Sequence, residues 1–382
     1  MRKLLALDGL DQADISFNDG ATVKIIGPVE DREYTVLFLV NNEVIYETKL
    51  KPNHWAKTKL KYYLEYQIII KKDDIVLLNY HFNLHCQKVL INVRTKAVGD
   101  NVAWMAQIDK FQRKHGCELY CNMEMAYLFE PEYPNIQFNK PIAKEDLYAT
   151  YRLGWYIKNN WRNYTPINAK TVALTQNPCD ILGLDHKPLK PKLVIQHGDR
   201  EFKPRYVCIS TQSTLQAKYW NRCGAWEKVI DYLKDKGLTT ICLDKHSRYG
   251  GKGQFNEIPK NCVDKSGNIS LLERIPYFLH CEFFIGLGSG MSWLAWALNK
   301  PVILISGFSE PISEFDTPYR IINRDVCHGC WNDTAHAFDF SDWLCCPRKK
   351  DFECSREITE EMVYAQIDRI LMESDAETSG SL

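Results

Sequence analysis

The sequence predicts an α/β protein of two halves, each built on a parallel sheet, with an antiparallel β region in front and a cysteine-rich segment behind. Three observations carry this. Apolar strand-like runs alternate with helical patterns from Lys88 and again from Tyr206, which is the signature of parallel sheets. Five β-branched and aromatic runs fill residues 15–84 with no helix between them. Five of the fourteen cysteines crowd one polar stretch, Cys327–Cys354.

The front region consists of ATVKII, YTVLFLV, EVIYETKL, YYLEYQIII and IVLLNYHF. Asn18–Gly20, Asn41–Asn42 and Lys71–Asp74 separate them as hairpin turns. This gives an N-terminal antiparallel β domain over residues 1–87, in which no chemical constellation stands out. From Lys88 the pattern changes. KVLINV is a short buried strand, and Thr95–Asp100 leads into a helix with Val102, Met105, Ile108 and Phe111 at helical spacing. Gly116 ends that helix, and ELYCNM is the next strand. Residues 152–205, rich in tryptophan, tyrosine and proline, read as irregular structure and a linker, so the first α/β half takes residues 88–204.

The second half takes residues 205–322. Its strands are YVCIST, TTICLD, FFIGL and PVILISG. AWEKVIDYLKDK, SLLERIPYFLH and MSWLAWALNK supply its helices. A cysteine finger follows at residues 323–356, then a closing helix at 357–374 and a disordered tail at 375–382.

Composition narrows the function. With 382 residues and 45% hydrophobic content, the chain can build more than one core. Lys+Arg and Asp+Glu both number 48, so no global basic field recruits nucleic acid or anionic membrane. No run approaches a membrane span, and Met1–Leu10 lacks the apolar core of a signal peptide. The expected compartment is the cytoplasm. Cys86, Cys208, Cys242 and Cys281 sit in or beside apolar runs as reduced core residues.

Three loops hold the candidate chemistry. Thr211–Asn221 joins a strand to a helix and offers Thr211, Ser213 and Thr214 with one lysine, Lys218. Hydroxyls and backbone N–H groups near a helix N-terminus suit phosphate, and the lysine adds a point charge. Trp220 is placed to line a sugar or base pocket; core packing is its plainer alternative. Gly286–Gly290 opens onto the helix that begins near Met291, a second anion site. Asp100 follows Gly99 at a strand end, where ligands of parallel sheets bind; it is either a general base or an N-cap. No Asp-x-Asp pair is placed to hold a divalent cation, so Lys218 is the natural substitute at a departing diphosphate.

Cys327-His-Gly-Cys330 is a C-x-x-C knuckle, and Cys346 and Cys354 supply a second pair. In a reducing compartment four thiolates point to zinc or a single iron, with free thiols as the alternative. His328 and Cys345 read as neighbours. A structural metal is expected, because the segment has little apolar core of its own.

Taken together, TKAVGDNVAWMAQI, TQSTLQAKYWN and FFIGLGSGMSWLAWAL resemble the three signature loops of the heptosyltransferases of glycosyltransferase family 9, which have the GT-B fold of two Rossmann-like domains. The FNDG turn at Phe17–Gly20 and the finger CHGCW…CCP…FEC narrow the resemblance to bacterial autotransporter heptosyltransferases. That resemblance implies an ADP-heptose donor and transfer to serine hydroxyls on an autotransporter adhesin passenger domain; with one base and no evident nucleophile in the sequence, an inverting reaction is expected. It implies Asp100 as general base and Lys218 as the lysine that engages the donor, with Gly288, Ser289, Gly290 and Met291 in the loop that meets the nucleotide-sugar. Cys327, Cys330, Cys346 and Cys354 match iron ligands, and a large ring-shaped homo-oligomer such as a dodecamer is implied. One departure stands out. Lipopolysaccharide heptosyltransferases carry Asp-Thr-Gly where this chain has Gly288-Ser289-Gly290, so an acidic donor contact is missing from that loop.

Overall fold

The computed structural model describes residues 3–28, 31–195, 200 and 202–379. The chain forms two compact units: Met1–Lys96 with Trp104–Leu189, and Ala97–Ala103 with Lys190–Leu382.

The first unit holds a mixed eight-stranded sheet and a four-stranded antiparallel sheet. Ile136–Phe138, Glu118–Asn122, Lys88–Val93 and Ala149–Leu153 run parallel, and Gln12–Asn18 joins them in parallel at the Ala149–Leu153 edge. Thr22–Ile26 and Trp55–Lys57 continue that sheet in antiparallel register. The antiparallel sheet expected near the N-terminus is present, in the order Glu43–Leu50, Tyr34–Val40, Tyr66–Lys72, Ile75–His81. The division expected at residue 87 is not a gap between sheets. Asn18 explains why: its amide donates to Leu147 O at 2.9 Å and accepts from Thr150 Oγ1 at 2.7 Å. Phe17 adds an aromatic cluster with Tyr66, Tyr80, Phe82 and Tyr148. Splitting these strands would expose that cluster and orphan buried amides.

The helix Val98–His115 carries Asp100 in its first turn and Arg113, Lys114 and His115 in its last, in keeping with the helix dipole. Gly116 at φ 57° terminates it. Residues 97–103 of this segment are counted with the second unit. Part of the expected irregular region is ordered: Asn177–Leu182 is a short helix, begun by Pro178 and ended by left-handed Gly183. Gln196–Asp199 and Glu201 of that region lie outside the described residues.

The second unit contains a six-stranded sheet, parallel throughout its ladder. Tyr206–Ser210, Phe284–Leu287 and Val302–Ile305 are buried at every position, because both faces of such a sheet are covered. The helix Ala225–Asp235 buries Ala225, Trp226, Val229, Ile230 and Leu233, one stripe at helical spacing. Val363, Ile367 and Ile370 of the last helix join the same core. The helix Leu271–His280 starts on a capping box: Glu273 N–H donates to Ser270 Oγ at 3.2 Å, and Ser270 N–H to Glu273 Oε2 at 2.8 Å.

The closing helix runs Glu360–Ser379. It extends past the expected end at 374, because Asp375, Ala376 and Glu377 continue it without a glycine or proline to stop it. Residues 380–382 of the expected disordered tail lie outside the described residues. Among the described residues, no helix is long and apolar enough to cross a membrane.

Candidate active site

All strands of the second unit's main sheet point the same way, so the loops after Tyr206–Ser210, Thr239–Cys242, Phe284–Leu287 and Val302–Ile305 gather at one edge. The chain leaves Tyr206–Ser210 towards Thr239–Cys242 on one side, and Phe284–Leu287 lies on the other. Ligands of open parallel sheets bind at this reversal of strand order. The two loops singled out in the sequence, Thr211–Asn221 and Gly286–Gly290, flank it.

Lys218 sits on a single 3₁₀ turn, Gln216–Lys218, whose first N–H donates to Trp343 O at 3.1 Å. The lysine is partly buried, and its ammonium makes no hydrogen bond or ion pair among the described residues. Burial pushes its pKa down, while the carboxylates of Asp100 and Glu314 pull it back up. A cation placed near two carboxylates without being tied to either can meet an anionic ligand.

Asp100 is 8% exposed, in the first turn of its helix. Two glycines bring that turn against the glycine-rich loop. A Cβ on Gly290 would come within 2.6 Å of Val98 Cβ, and one on Gly99 within 2.9 Å of Trp293 Cδ1. Neither spacing admits a side chain without movement. Gly288, Ser289, Gly290 and Met291 follow directly on Phe284–Leu287, and the helix Gly290–Ala297 begins within them. Ser289 is its N-cap but makes no capping hydrogen bond, and its Oγ is buried without a hydrogen-bond partner among the described residues. An orphaned hydroxyl at a helix N-terminus fits an oxyanion ligand.

Two of the expected donor contacts are engaged within the protein. Trp220 is 5% exposed, donates its indole N–H to Ile358 O at 2.9 Å and stacks edge-on against Trp226. It belongs to the core beneath the loop. Its spacing from the apolar helix Ala225–Asp235 turns it inward. Thr211 is also buried, and its N–H and Oγ1 both donate to Asp244 Oδ2, at 2.8 and 2.7 Å. Its hydroxyl proton is therefore engaged within the protein. Ser213 is half-buried and Thr214 exposed.

Asp244 holds the start of this loop, a role that no motif of the sequence marks. It also accepts from Ser210 Oγ at 2.5 Å and Gln212 N–H at 3.2 Å. Arg274, 2% exposed, donates to the carbonyls of Leu243 and Asp244 at 3.0 and 3.2 Å. The pair fixes how the 211–221 loop leaves its strand. The available signal was an aspartate ending a buried strand, in TTICLD. Glu314, which also faces Lys218, had no such signal.

In the cysteine segment, Cys327 Sγ and Cys330 Sγ are 4.0 Å apart. Cys354 is 6% exposed; burial pushes its thiol up to about 12, and the charges of Cys330, Cys327 and Cys346 add to the shift. Cys346 Sγ accepts from Lys350 N–H at 3.3 Å, and Cys327 Sγ from Arg348 at 3.5 Å. Among the described residues no group of three or more His, Cys, Asp or Glu side chains is arranged to hold a metal ion. The expected four-cysteine finger thus shows one close pair with two further thiols nearby. His328 turns away, with Nδ1 2.8 Å from Val326 O and Nε2 3.4 Å from Glu310.

Residues 148–320 match the model of glycosyltransferase family 9 (heptosyltransferase). The autotransporter heptosyltransferase BAHTCr of Citrobacter rodentium is 38% identical, over 95% of this chain and 90% of that protein. The iron-containing dodecameric glycosyltransferase TibC of enterotoxigenic Escherichia coli superposes with a TM-score of 0.89 at 36% identity, covering 97% of this chain and 98% of that one. TibC has also been solved with ADP-D-β-D-heptose. BimC of Burkholderia thailandensis, an inactive autotransporter heptosyltransferase, is 31% identical over 94% of this chain and 86% of its own length. The chain belongs to the autotransporter heptosyltransferases of glycosyltransferase family 9.

Proposed function

We propose that this protein transfers heptose from ADP-heptose to serine hydroxyls of an autotransporter adhesin passenger domain, in the bacterial cytoplasm, with inversion at the anomeric carbon. The observation that carries this reading is Lys218. It belongs to the loop that follows the strand Tyr206–Ser210, and its ammonium is within the influence of Asp100 with no hydrogen-bonded partner among the described residues. Relatives described as heptosyltransferases, one of them solved with ADP-heptose, support the donor.

In this reading the diphosphate lies between Ser213, Thr214 and Lys218 on one side and Gly288–Met291 on the other. The Ser289 hydroxyl and the helix N-terminus behind it offer hydrogen bonds to phosphate oxygens. The acceptor serine gives its proton to Asp100 as its oxygen attacks the anomeric carbon. The bond from that carbon to the β-phosphate oxygen breaks, and ADP leaves with its new charge facing Lys218. With Asp100 as the base and the serine oxygen as the attacking group, the reaction is a single displacement.

Cys327, Cys330, Cys346 and Cys354 would hold one iron, with zinc as the alternative. Tetrahedral thiolates about 2.3 Å from a metal stand about 3.8 Å apart, and the Cys327–Cys330 pair is already near that spacing. The ion would be structural, supplying folding energy to a segment with little core. A ring-shaped homo-oligomer like the TibC dodecamer completes the reading.

The test is incubation with ADP-heptose and an adhesin passenger fragment, followed by intact mass and anomeric analysis. Heptose-sized increments with an inverted linkage are expected, and Asp100→Asn should abolish them while donor binding survives. A retained configuration would overturn the single displacement. No turnover of any ADP-sugar would place the chain with BimC as a non-catalytic relative. Elemental analysis of the purified protein should find about one iron per chain, and no metal at all would reject the cysteine site.

A further inference from the structure

Glu314 follows the 3₁₀ turn Pro311–Ser313, in the loop after the strand Val302–Ile305. Its side chain is only 7% exposed. A carboxylate so enclosed needs a partner, and Oε2 has two: the guanidinium of Arg320 and Ser306 Oγ, the latter at 3.0 Å. Arg320 is itself fixed, donating to Phe315 O at 2.6 Å. Phe315 in turn packs on Trp293 and Trp296, with ring centroids 5.0 and 5.8 Å apart. One carboxylate oxygen is thus anchored through a rigid frame.

The other oxygen has a different setting. Oε1 accepts no hydrogen bond among the described residues and stands directly over Gly288, where a Cβ on that residue would collide with it. Gly288 does not have the left-handed backbone that would itself demand glycine. The absence of a side chain there answers to space, and Oε1 fills that space. The same carboxylate is near enough to Lys218 to act on its charge.

We infer that Glu314 reads a hydroxyl of the sugar part of the nucleotide-sugar donor through Oε1, and that position 288 is glycine to leave that oxygen its place. The inference rests on the donor reading above. A carboxylate accepts and never donates when ionised. It would repel the donor's phosphates, so its complement is a hydroxyl, either on the ribose or on the transferred sugar. The acidic contact missing from the Gly288–Gly290 loop is thereby supplied by a different loop, pointed into the volume that a side chain at 288 would occupy.

Calorimetry on the full-length metal-loaded protein tests this with ADP and ADP-heptose as ligands. Glu314→Gln keeps the shape and the Arg320 contact but removes the charge; ADP-heptose affinity should fall at least about tenfold. An equal loss for ADP assigns the hydroxyl to the ribose, and a loss confined to ADP-heptose assigns it to the transferred sugar. Gly288→Ala keeps every charge and the Glu314–Arg320 pair but displaces Oε1, so it should weaken the same ligand and decides the matter if the glutamine variant fails to fold. In Glu314→Ala/Gly288→Asp the carboxylate returns from the other side, and affinity should recover over Glu314→Ala alone. Wild-type affinity in both Glu314→Gln and Gly288→Ala overturns the role of Glu314 while leaving the donor reading intact. A wild-type protein that binds no ADP-sugar overturns both.

Discussion

Gly99 lies against the indole of Trp293 so closely that a Cβ would reach Cδ1 at 2.9 Å. The contact locks the first turn of the Val98–His115 helix, and with it Asp100, against the helix that follows the glycine-rich loop. Gly99→Ala must therefore shift that turn or the tryptophan. Its cost should be about 1–3 kcal/mol of stability, as for overpacking. Turnover should fall more than stability implies, by about 10²-fold, because a base displaced by about 1 Å loses its alignment. Urea melts beside kcat and donor KM measure both effects.

The ammonium of Lys218 should be needed chiefly when ADP departs. Lys218→Ala is expected to lower kcat by about 10²–10³-fold, with weaker donor binding. Burial lowers this lysine's pKa below its ordinary 10.5, so the ammonium is lost earlier as pH rises. The alkaline limb of the wild-type kcat profile should fall below the ordinary lysine range, and Lys218→Arg should move that limb upward.

Asp244 should prove structural but felt at the site. Asp244→Asn presents an amide to the N–H groups of Thr211 and Gln212 and removes a charge that holds five donors, the Cys242 thiol among them. A loss of about 2–4 kcal/mol is expected, seen in denaturant melts. Donor binding should weaken in parallel, since the same carboxylate sets the start of the Thr211–Asn221 loop.

Glu360 gives an acid-dependent prediction. It is 2% exposed and accepts from Lys228 at 2.6 Å and Arg222 at 2.5 Å. Burial pushes its pKa up, but Lys228, the backbone and Arg222 outweigh this and hold it below its ordinary 4.5, at about 2. A carboxyl held low in the folded state stabilises above its ordinary range and loses that contribution as pH falls from about 4.5 towards 2. Glu360→Gln should cost about 3 kcal/mol near neutrality, with the gap to wild type narrowing in acid. Melts at pH 7 and pH 3 would show it.

The amino-acid sequence by itself determined the local elements and their order: continuous apolar runs for Tyr206–Ser210, Phe284–Leu287 and Val302–Ile305, and the helical stripe of Ala225–Asp235. These are legible because burial on both faces, or along one stripe, leaves a periodicity of its own. The loops bearing Asp100, Lys218 and Gly288–Met291 were legible for the same reason, since strand ends mark where such loops must be. Tertiary structure alone decided which side chains meet across those loops. It turned Trp220 into the core, engaged Thr211 with Asp244, joined the N-terminal strands to the parallel sheet through Asn18, and set Glu314 over Gly288. Each of these depends on contacts between distant segments, and no local pattern records which partner a polar side chain will find once buried.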